Sequence, residues 1–314
     1  MKCKIQWFDH PNTIWEEHFQ NVKESNLLQS RPYGLATQRC NKFQSRYAIF
    51  RVDDEIAAIF QIQLKSFFND FLQFVILDRG PLWLDGYGNK AHFEAFVCAL
   101  RKEFPYRLRC RFRFIPETED SKEIREIMIK EGFKRRYRPG YQTFLIDLEK
   151  SEEELRKDLS KNWRYTVKKA ENSDLKIEWD DKQDHFDWFI KRYQLDSYAK
   201  GYNGPSILFL KELSEYMPPK SVIIGRAMLQ NKPIGAIMLL CHGRGSTYQL
   251  GWSGKQGREL GAHNLLLWKA LFYLKKHQIS SLDLGGFNEN DASTIKKFKQ
   301  GLGGRLVSLV GLYN

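Results

Sequence analysis

The chain has 314 residues, of which 42% are hydrophobic and 14% aromatic, so it can bury one large core or two of ordinary size. This composition excludes an intrinsically disordered protein. No apolar run approaches the roughly 18 residues needed to span a bilayer, and the N-terminal segment lacks the apolar core of a signal peptide. We therefore expect a cytoplasmic protein without an integral membrane segment.

The chain is basic, with 50 Lys and Arg against 38 Asp and Glu, which gives a formal net charge of +12. Such a charge favours an anionic partner such as RNA, a nucleotide-linked donor or a phosphorylated acceptor, but an ordinary soluble basic surface explains it equally well. The five cysteines are widely spaced and have no histidine beside them at the spacing of metal ligands. We expect free thiols and no structural metal.

Four elements of the first half recur in the same order in the second half, about 170–180 residues further along the chain. Each set runs as an apolar strand entered from a polar turn, a helix with apolar residues at helical spacing, a strand, and a helix ending in glycine. The matching pairs are 54–60 with 232–238, 91–100 with 262–271, 107–115 with 280–284, and 123–132 with 292–301. Chance matches would not keep four elements in order, so we predict a duplicated α/β protein.

The duplication predicts two tandem lobes, each a mixed twisted sheet flanked by helices. We expect the first lobe to cover residues 1–142 and the second to cover 143–304, and the segment 305–314 is a candidate to return to the first lobe. Between the copies, Ser151 followed by Glu154 is typical of a capping box, so a helix is predicted to begin there and to run into the basic stretch that ends at Ala170. A second amphipathic helix is predicted over 185–200.

The segment 107–114 alternates basic and apolar residues along its whole length. A β-strand would place Arg107, Arg109, Arg111 and Arg113 on one face. Four like charges on one face repel each other, so an anion should lie opposite them. Neighbouring carboxylates would satisfy this, and so would a phosphate-bearing ligand or tRNA.

The stretch 254–262 is rich in glycine and precedes a helix, whose first N–H groups can bind an anion. Through Arg258, Gly261 and Ala262 it partly resembles the pyrophosphate loop that binds acyl-CoA in the GNAT acetyltransferases. His263 stands where that loop has glycine or alanine. An ordinary helix start and an anion site both remain open. The sequence has no nucleophile elbow, metalloprotease helix or Walker loop, as expected for a reaction that needs only positioning, oxyanion stabilisation and one proton transfer.

An ordered series of short motifs extends over nearly the whole chain. They lie at 29–34, 79–81, 143–148, 162–170, 248–253, 266–270, 282–286 and 298–304. In this series the chain resembles the FemAB/FemX family, the aminoacyl-tRNA-dependent peptidyltransferases built from two GNAT-like lobes. The resemblance implies transfer of an aminoacyl group from tRNA, as a co-substrate, to the amine of a cell-wall precursor, a peptide or a small natural product. It implies neither a covalent enzyme intermediate nor a bound cofactor.

The resemblance also implies roles for individual residues. Phe298 and Lys299 correspond to the family's element at the transferred carbonyl, where an ammonium would stabilise the developing oxyanion more than the neutral ester. Tyr248 would orient the acceptor and Asp283 would take its proton. For Lys299 a surface position, and for Asp283 a purely structural carboxylate, remain alternatives.

Further positions complete the candidate site. Substrate binding is assigned to Trp252, Arg164, Tyr198 and Arg79, and anion or tRNA binding to Arg107, Arg109, Arg111, Arg113 and Arg258. The first lobe departs from the peptidoglycan-precursor enzymes, because Tyr33 replaces their tryptophan and Thr37 replaces the lysine that reaches a nucleotide diphosphate. We therefore do not expect a UDP-linked muropeptide as the acceptor.

Two other functions are compatible with the sequence. One is an acyl-CoA-dependent N-acyltransferase of the GNAT superfamily, and the other is a non-catalytic pair of lobes that binds RNA or another partner. A functional Lys299 would separate an enzyme from a binding module. The sequence does not indicate an oligomeric state.

Overall fold

The computed structural model describes residues 1–68, 71–105, 110–136, 140–201, 204–287 and 292–314. It divides into two compact units, one formed by Met1–Gln142 with Val307–Asn314 and the other by Thr143–Leu306. Within these ranges, no helix is long and apolar enough to cross a membrane. No three His, Cys, Asp or Glu residues in them are grouped as metal ligands would be. The five cysteines are free.

Over its described residues, the first unit contains a six-stranded sheet with helices packed against it. Its strands are β1 (Cys3–Phe8), β2 (Gln44–Val52), β3 (Glu55–Phe67), β4 (Leu72–Gly80), β5 (Leu82–Trp83) and β6 (Cys110–Pro116). Its helices are α1 (Thr13–Asn21), α2 (Arg31–Asn41), α3 (Lys90–Glu103) and α4 (Lys122–Lys130), with a 3-10 turn at Leu27–Gln29. The order is β1-β2-β3-β4-β6 with β5 beside β3, and the pairs are antiparallel except for the parallel pair β4 and β6.

The first core forms around Phe96, which α3 places against the sheet. Its ring makes edge-to-face contacts with Phe50 at 5.4 Å and with Phe60 at 5.2 Å between centroids. All three side chains are fully buried. Burying a phenylalanine side chain contributes about 1.5–3 kcal/mol, so this cluster provides much of the force that holds α3 on the sheet.

Strand β6 confirms the alternation expected for the described part of the arginine-rich segment. Phe112 and Phe114 are buried, whereas Arg111 and Arg113 are exposed. Arg107 and Arg109 lie outside the described residues. The strand is thus amphipathic because its side chains alternate between the core and the opposite face.

Strands β3 and β4 separate part of the way along their length, and a side chain fills the gap. Their paired residues run from Phe67 and Leu72 to Gln63 and Ile76. Beyond them, the buried Gln29 amide bridges the strands: its Nε2 donates to the carbonyls of Gln61 (3.2 Å) and Asp78 (2.8 Å), and its Oε1 accepts from the Gln61 N–H (2.7 Å). Gln29 therefore replaces the missing ladder hydrogen bonds.

The second unit is built on a second mixed sheet. Its strands are β7 (Gln142–Asp147), β8 (Lys176–Asp180), β9 (Val222–Leu229), β10 (Lys232–His242), β11 (Gly245–Ser253), β12 (Ser281–Asp283) and β13 (Arg305–Ser308). Its helices are α5 (Glu152–Asp158), α6 (Lys161–Glu171), α7 (Phe186–Lys200), α8 (Ile207–Tyr216), α9 (Lys255–Glu259), α10 (Ala262–Lys276) and α11 (Ala292–Gly301). The order is β13-β7-β12-β11-β10-β9-β8, with β11 and β12 parallel.

The two units repeat one topology, which confirms the predicted duplicated α/β fold. In the first unit, the antiparallel strands β2, β3 and β4 lead through α3 to the parallel strand β6 and then to α4. In the second unit, β9, β10 and β11 lead through α10 to β12 and then to α11.

In each unit, the strand beside the last parallel strand comes from a different part of the chain. Strand β7 lies antiparallel to β12. In the first unit the place beside β6 is taken by the segment around Tyr313, whose N–H and carbonyl bond the backbone of Phe114 at 2.8 and 2.9 Å. Each sheet is thus completed by chain that follows the other unit's last helix in sequence.

The single helix predicted from Ser151 to the basic stretch is wrong, because the structure has two helices. The capping box forms as predicted, with the Ser151 hydroxyl and the Glu154 carboxylate bonding each other's backbone N–H groups. Helix α5 then ends at Asp158, and Ser160 caps a new helix by accepting the N–H of Trp163. Serine favours such a cap over a helix interior.

We predict that Gln29→Ala destabilises the protein. It would leave the N–H and carbonyl of Gln61 and the carbonyl of Asp78 without a partner in a buried place, which should lower the free energy of unfolding by about 2–4 kcal/mol. Urea denaturation measures this change. Gln38→Ala, on the exposed face of α2, should change the free energy by less than about 0.5 kcal/mol. Equal stability of the two variants would contradict the bridging role.

Candidate active site

Lys299 lies in the last turn of α11, and its side chain is buried although it carries a charge. The residue is only 8% exposed, and its ammonium donates to the carbonyls of Gly285 (2.7 Å) and Gly286 (3.0 Å). Burial lowers its pKa to about 8, and the negative charge of Asp283 opposes that shift. These contacts use two of the three ammonium donors. Lys299 is therefore a held cation and not a surface lysine.

The loop that holds Lys299 is shaped by Asp283 at the end of β12. One carboxylate oxygen accepts the Thr143 hydroxyl at 2.5 Å and the Gly285 N–H at 2.8 Å. Gly285 has φ +73°, and a β-carbon there would lie 3.0 Å from the Tyr248 carbonyl oxygen and 3.6 Å from Lys299 Nζ. Only glycine fits this conformation without strain. Asp283 therefore fixes the loop whose carbonyls bind Lys299.

Tyr248 on β11 forms a second polar contact in the same unit. Its hydroxyl lies 2.8 Å from His263 Nε2. Burial lowers the pKa of His263 to about 4, and the positive charge of Lys200 acts in the same direction. The imidazole is therefore neutral at neutral pH. Gly251 faces both side chains closely, and a β-carbon there would overlap them.

Phe298 is the sequence neighbour of Lys299, and it also contacts His263, the partner of Tyr248. Its ring packs edge-to-face on His263 at 5.5 Å and lies 5.0 Å from the ring of Trp163. The Trp163 indole N–H also donates to the Phe298 carbonyl at 2.9 Å. Gly301 lies directly against the Trp163 ring, which allows α11 to pack against α6. The structure thus brings Tyr248, Asp283 and the Phe298–Lys299 pair into one region of the second unit.

The sequence did not identify His263 and Trp163 as neighbours of the candidate residues. His263 was visible as a departure from the glycine or alanine of a pyrophosphate loop, and Trp163 was part of a motif. Neither signal showed that both side chains contact Phe298.

The other candidate residues of the second unit lie on its helices and on β11. Trp252 packs edge-to-face on Trp188 at 6.0 Å, and the Arg192 guanidinium lies 5.5 Å over its ring. Arg164 is exposed on α6, and Tyr198 is 91% exposed on α7. Trp252 is half-buried against these side chains, and the substrate-binding roles of all three residues stay predictions.

The start of α10 is covered by side chains of the same unit, so it is not an open loop. Gly261 caps the helix with φ +69°, and Thr166 of α6 packs directly against it. Arg258 donates to the carbonyl of Ser253 at 2.7 Å. His263 points to Tyr248. The glycine-rich stretch therefore acts as a packing point between α6 and α10.

In the first unit, two candidate arginines have carboxylate partners. Arg79 is buried and binds Glu117 through two hydrogen bonds of 2.8 and 2.6 Å. Arg113 lies 2.9 Å from Asp78. Burial raises the pKa of Asp78, and Arg113 opposes that rise. The Asp78 carboxylate thus balances the charge of Arg113. Of the two alternatives for the arginine segment, a neighbouring carboxylate or a phosphate-bearing ligand, Arg113 has the first.

Each unit has a GNAT-like fold, so the chain is a tandem GNAT protein in its fold. No family model and no curated protein matches the sequence. Among solved structures, a tandem GNAT protein from the clavulanic acid biosynthesis pathway matches with a TM-score of 0.52 and 9% identity, covering 99% of this chain and 98% of that one. L-PGS from Bacillus licheniformis matches with a TM-score of 0.53 and 11% identity, covering 96% and 91%.

A higher similarity is found with FemX. Its crystal structure matches with a TM-score of 0.79 and 13% identity, and the match covers 98% of this chain and 96% of FemX. The chain therefore has the FemX-like tandem GNAT fold, as the resemblance of its motifs implied. Identity this low shows the fold and leaves the reaction to be argued from the site.

We predict that His263 makes the protein less stable in acid. Its pKa of about 4 in the folded state lies below the ordinary value near 6.5, so the unfolded state takes up a proton first as the pH falls. Stability is therefore lost between about pH 6.5 and pH 4. From pH 7 to pH 5 the unfolding free energy of the parent falls. In His263→Gln we expect this fall to be smaller by about 1–2 kcal/mol.

Urea denaturation at the two pH values measures this difference. His10→Gln changes an exposed histidine and should keep the parent's full loss. If His263→Gln also kept it, His263 would not be held neutral by the fold.

Proposed function

We propose that the protein transfers an aminoacyl group from aminoacyl-tRNA to an acceptor amine. The observation that carries this proposal is the buried ammonium of Lys299, held by the Gly285 and Gly286 carbonyls beside Asp283. A cation fixed in a partly desolvated place is suited to stabilise an oxyanion. Because aminoacyl-tRNA is made in the cytoplasm, the reaction would take place there.

The reaction needs one bond to form and one to break. The acceptor nitrogen attacks the ester carbonyl, and the remaining Lys299 donor stabilises the tetrahedral oxyanion. The intermediate then expels the ribose oxygen of the tRNA, which receives the proton that the nitrogen loses. We assign the transfer of this proton to Asp283 and the orientation of the acceptor to the Tyr248 hydroxyl. No covalent enzyme intermediate is required.

The surface of α6 supports tRNA as the donor. Lys161, Arg164 and Lys168 recur at helical spacing and are all exposed. On the opposite face of the same helix, Trp163 contacts Phe298. A basic surface therefore lies about one helix diameter, ~10 Å, from the residue next to Lys299, where the phosphates of an acceptor stem would be neutralised.

The start of α10 argues against acyl-CoA as the donor. A pyrophosphate would need the first N–H groups of this helix to be open. Thr166 packs against Gly261, and His263 is engaged with Tyr248. The fold alone is compatible with either donor, so this local packing is what supports the choice of tRNA.

The proposal is tested by offering the full chain charged tRNAs and, separately, acyl-CoAs, each with primary amine acceptors. We expect amine-dependent loss of the tRNA ester. Lys299→Met should lower kcat by about 100-fold or more, since it removes the oxyanion donor. Lys297→Met, an exposed lysine on the same helix, should stay within about threefold of the parent. Consumption of acyl-CoA alone would contradict the tRNA donor.

The pH dependence separates a charged Lys299 from a structural one. Its pKa of about 8 means that the ammonium is lost as the pH rises through 8. The guanidinium of Lys299→Arg stays charged. The ratio of the parent rate to the Lys299→Arg rate should therefore fall above about pH 8, and taking a ratio cancels the ionisation of the acceptor. A ratio that rises there would instead indicate Lys299 as a base.

We predict that Arg164→Glu/Lys168→Glu weakens the binding of aminoacyl-tRNA. Two phosphate contacts would be lost, so the affinity should fall by at least about tenfold. The negative slope of log K against log salt concentration should become shallower by about two. Filter binding over a range of salt concentrations measures both. Lys232→Glu reverses an exposed lysine at the start of β10 and should change affinity by less than about twofold. An unchanged salt slope in the double variant would exclude this surface.

A further inference from the structure

The hairpin of β3 and β4 in the first unit exposes four phenylalanines at its end. Their exposed fractions are 39% for Phe67, 81% for Phe68, 53% for Phe71 and 38% for Phe74. Phe67 and Phe74 pack edge-to-face at 5.8 Å. We call these four residues the phenylalanine tip. Single exposed apolar residues are common, but a contiguous aromatic group at a hairpin end marks an interaction surface.

Two cations lie beside the phenylalanine tip, Lys65 on β3, which also donates to the Asn41 carbonyl at 3.0 Å, and Arg111 on β6. Lys65 Nζ lies 5.4 Å from the ring centres of both Phe43 and Phe67. Arg111 on β6 is the direct partner of Phe74 in the parallel pairing and is exposed. None of the described residues 64–68, 71–76 and 110–113 is acidic, and the sequence has one acidic residue, Asp70, between Phe68 and Phe71. The surface therefore combines apolar and positively charged groups.

The contacts of Phe67 and Phe74 favour a lipid partner over an RNA, whereas Phe68 and Phe71, at 81% and 53% exposure, are the most exposed rings of the tip. Nucleobases bind aromatic side chains by stacking on an open ring face. The Lys65 ammonium already lies over Phe43 and Phe67, and Phe74 takes part in the edge-to-face contact. A bilayer needs no open ring face, because apolar side chains only have to pass the headgroups while cations remain at the phosphates.

The spacing of cations and rings also fits a bilayer. Lys65 precedes Phe68 by three residues along an extended chain, a separation of about 10 Å at ~3.3 Å per residue. Apolar groups of interfacial segments enter about 5–10 Å into the boundary of headgroups and acyl chains. With Phe68 at that depth, Lys65 would lie at the level of the lipid phosphates.

We propose that the first unit docks on anionic membranes through the phenylalanine tip, with Lys65 and Arg111 binding lipid phosphates. The partner is a bilayer surface that carries negatively charged headgroups. This docking is independent of the proposed transferase reaction, because it uses residues of the other unit and involves no step of catalysis. A failure of one proposal therefore leaves the other standing.

The test is co-sedimentation of the full chain with vesicles at physiological salt. One set contains phosphatidylcholine only, and the other contains about one third phosphatidylglycerol. We expect the parent to bind the anionic vesicles at least about tenfold more tightly, since cations near the surface add to the apolar insertion. Phe68→Ser/Phe71→Ser should lower that binding at least about tenfold. Lys65→Glu/Arg111→Glu should remove the preference for anionic lipid.

The matched control is Ile14→Ser/Ile129→Ser, which changes two exposed apolar residues on α1 and α4 of the same unit. It should bind anionic vesicles like the parent. Equal loss in the control, or no binding by the parent, overturns the proposal. A parallel measurement uses fluorescent single-stranded RNA. If Phe68→Ser/Phe71→Ser weakened RNA binding and left vesicle binding intact, the tip would be an RNA surface and the proposal would be wrong.

Discussion

The burial of one charge, the Lys299 ammonium, is the constraint around which the site of the second unit is built. Removing an ammonium from water is costly, and in this protein the cost is reduced by two backbone carbonyls and by the nearby Asp283. Those carbonyls can face Lys299 only because Gly285 adopts a positive φ. The loop, the carboxylate and the glycine are thus parts of one arrangement that keeps a cation in place.

The aromatic contacts of Phe298 give this arrangement its rigidity. Phe298 lies between His263 and Trp163, and the hydrogen bond from the Trp163 indole N–H to the Phe298 carbonyl fixes the turn of α11 that carries Lys299. Preorganisation of this kind lowers the reorganisation needed when charge develops in a transition state. His263 is held in this arrangement by the Tyr248 hydroxyl, which lies 2.8 Å from its Nε2.

The sequence predicted the features that depend on local pattern. The bounds of α11 match the prediction, and the alternation of β6 follows from its period of two. The sequence could not show the break at Ser160, because the residues on both sides favour a helix and only the new cap separates them. It also could not reveal the phenylalanine tip, since only the pairing of β3 with β4 brings Phe67 and Phe74 together at the hairpin end.

The exchange of final strands has a consequence for the order in which the chain can fold during synthesis. The backbone of Phe114 in β6 is completed by Tyr313, which the ribosome adds only after every strand of the second unit. The second sheet has its own β7 available from the start of that unit. Until Tyr313 emerges, the first unit has an open strand edge beside a buried aromatic core. The first unit is therefore synthesised first, but its sheet is completed last.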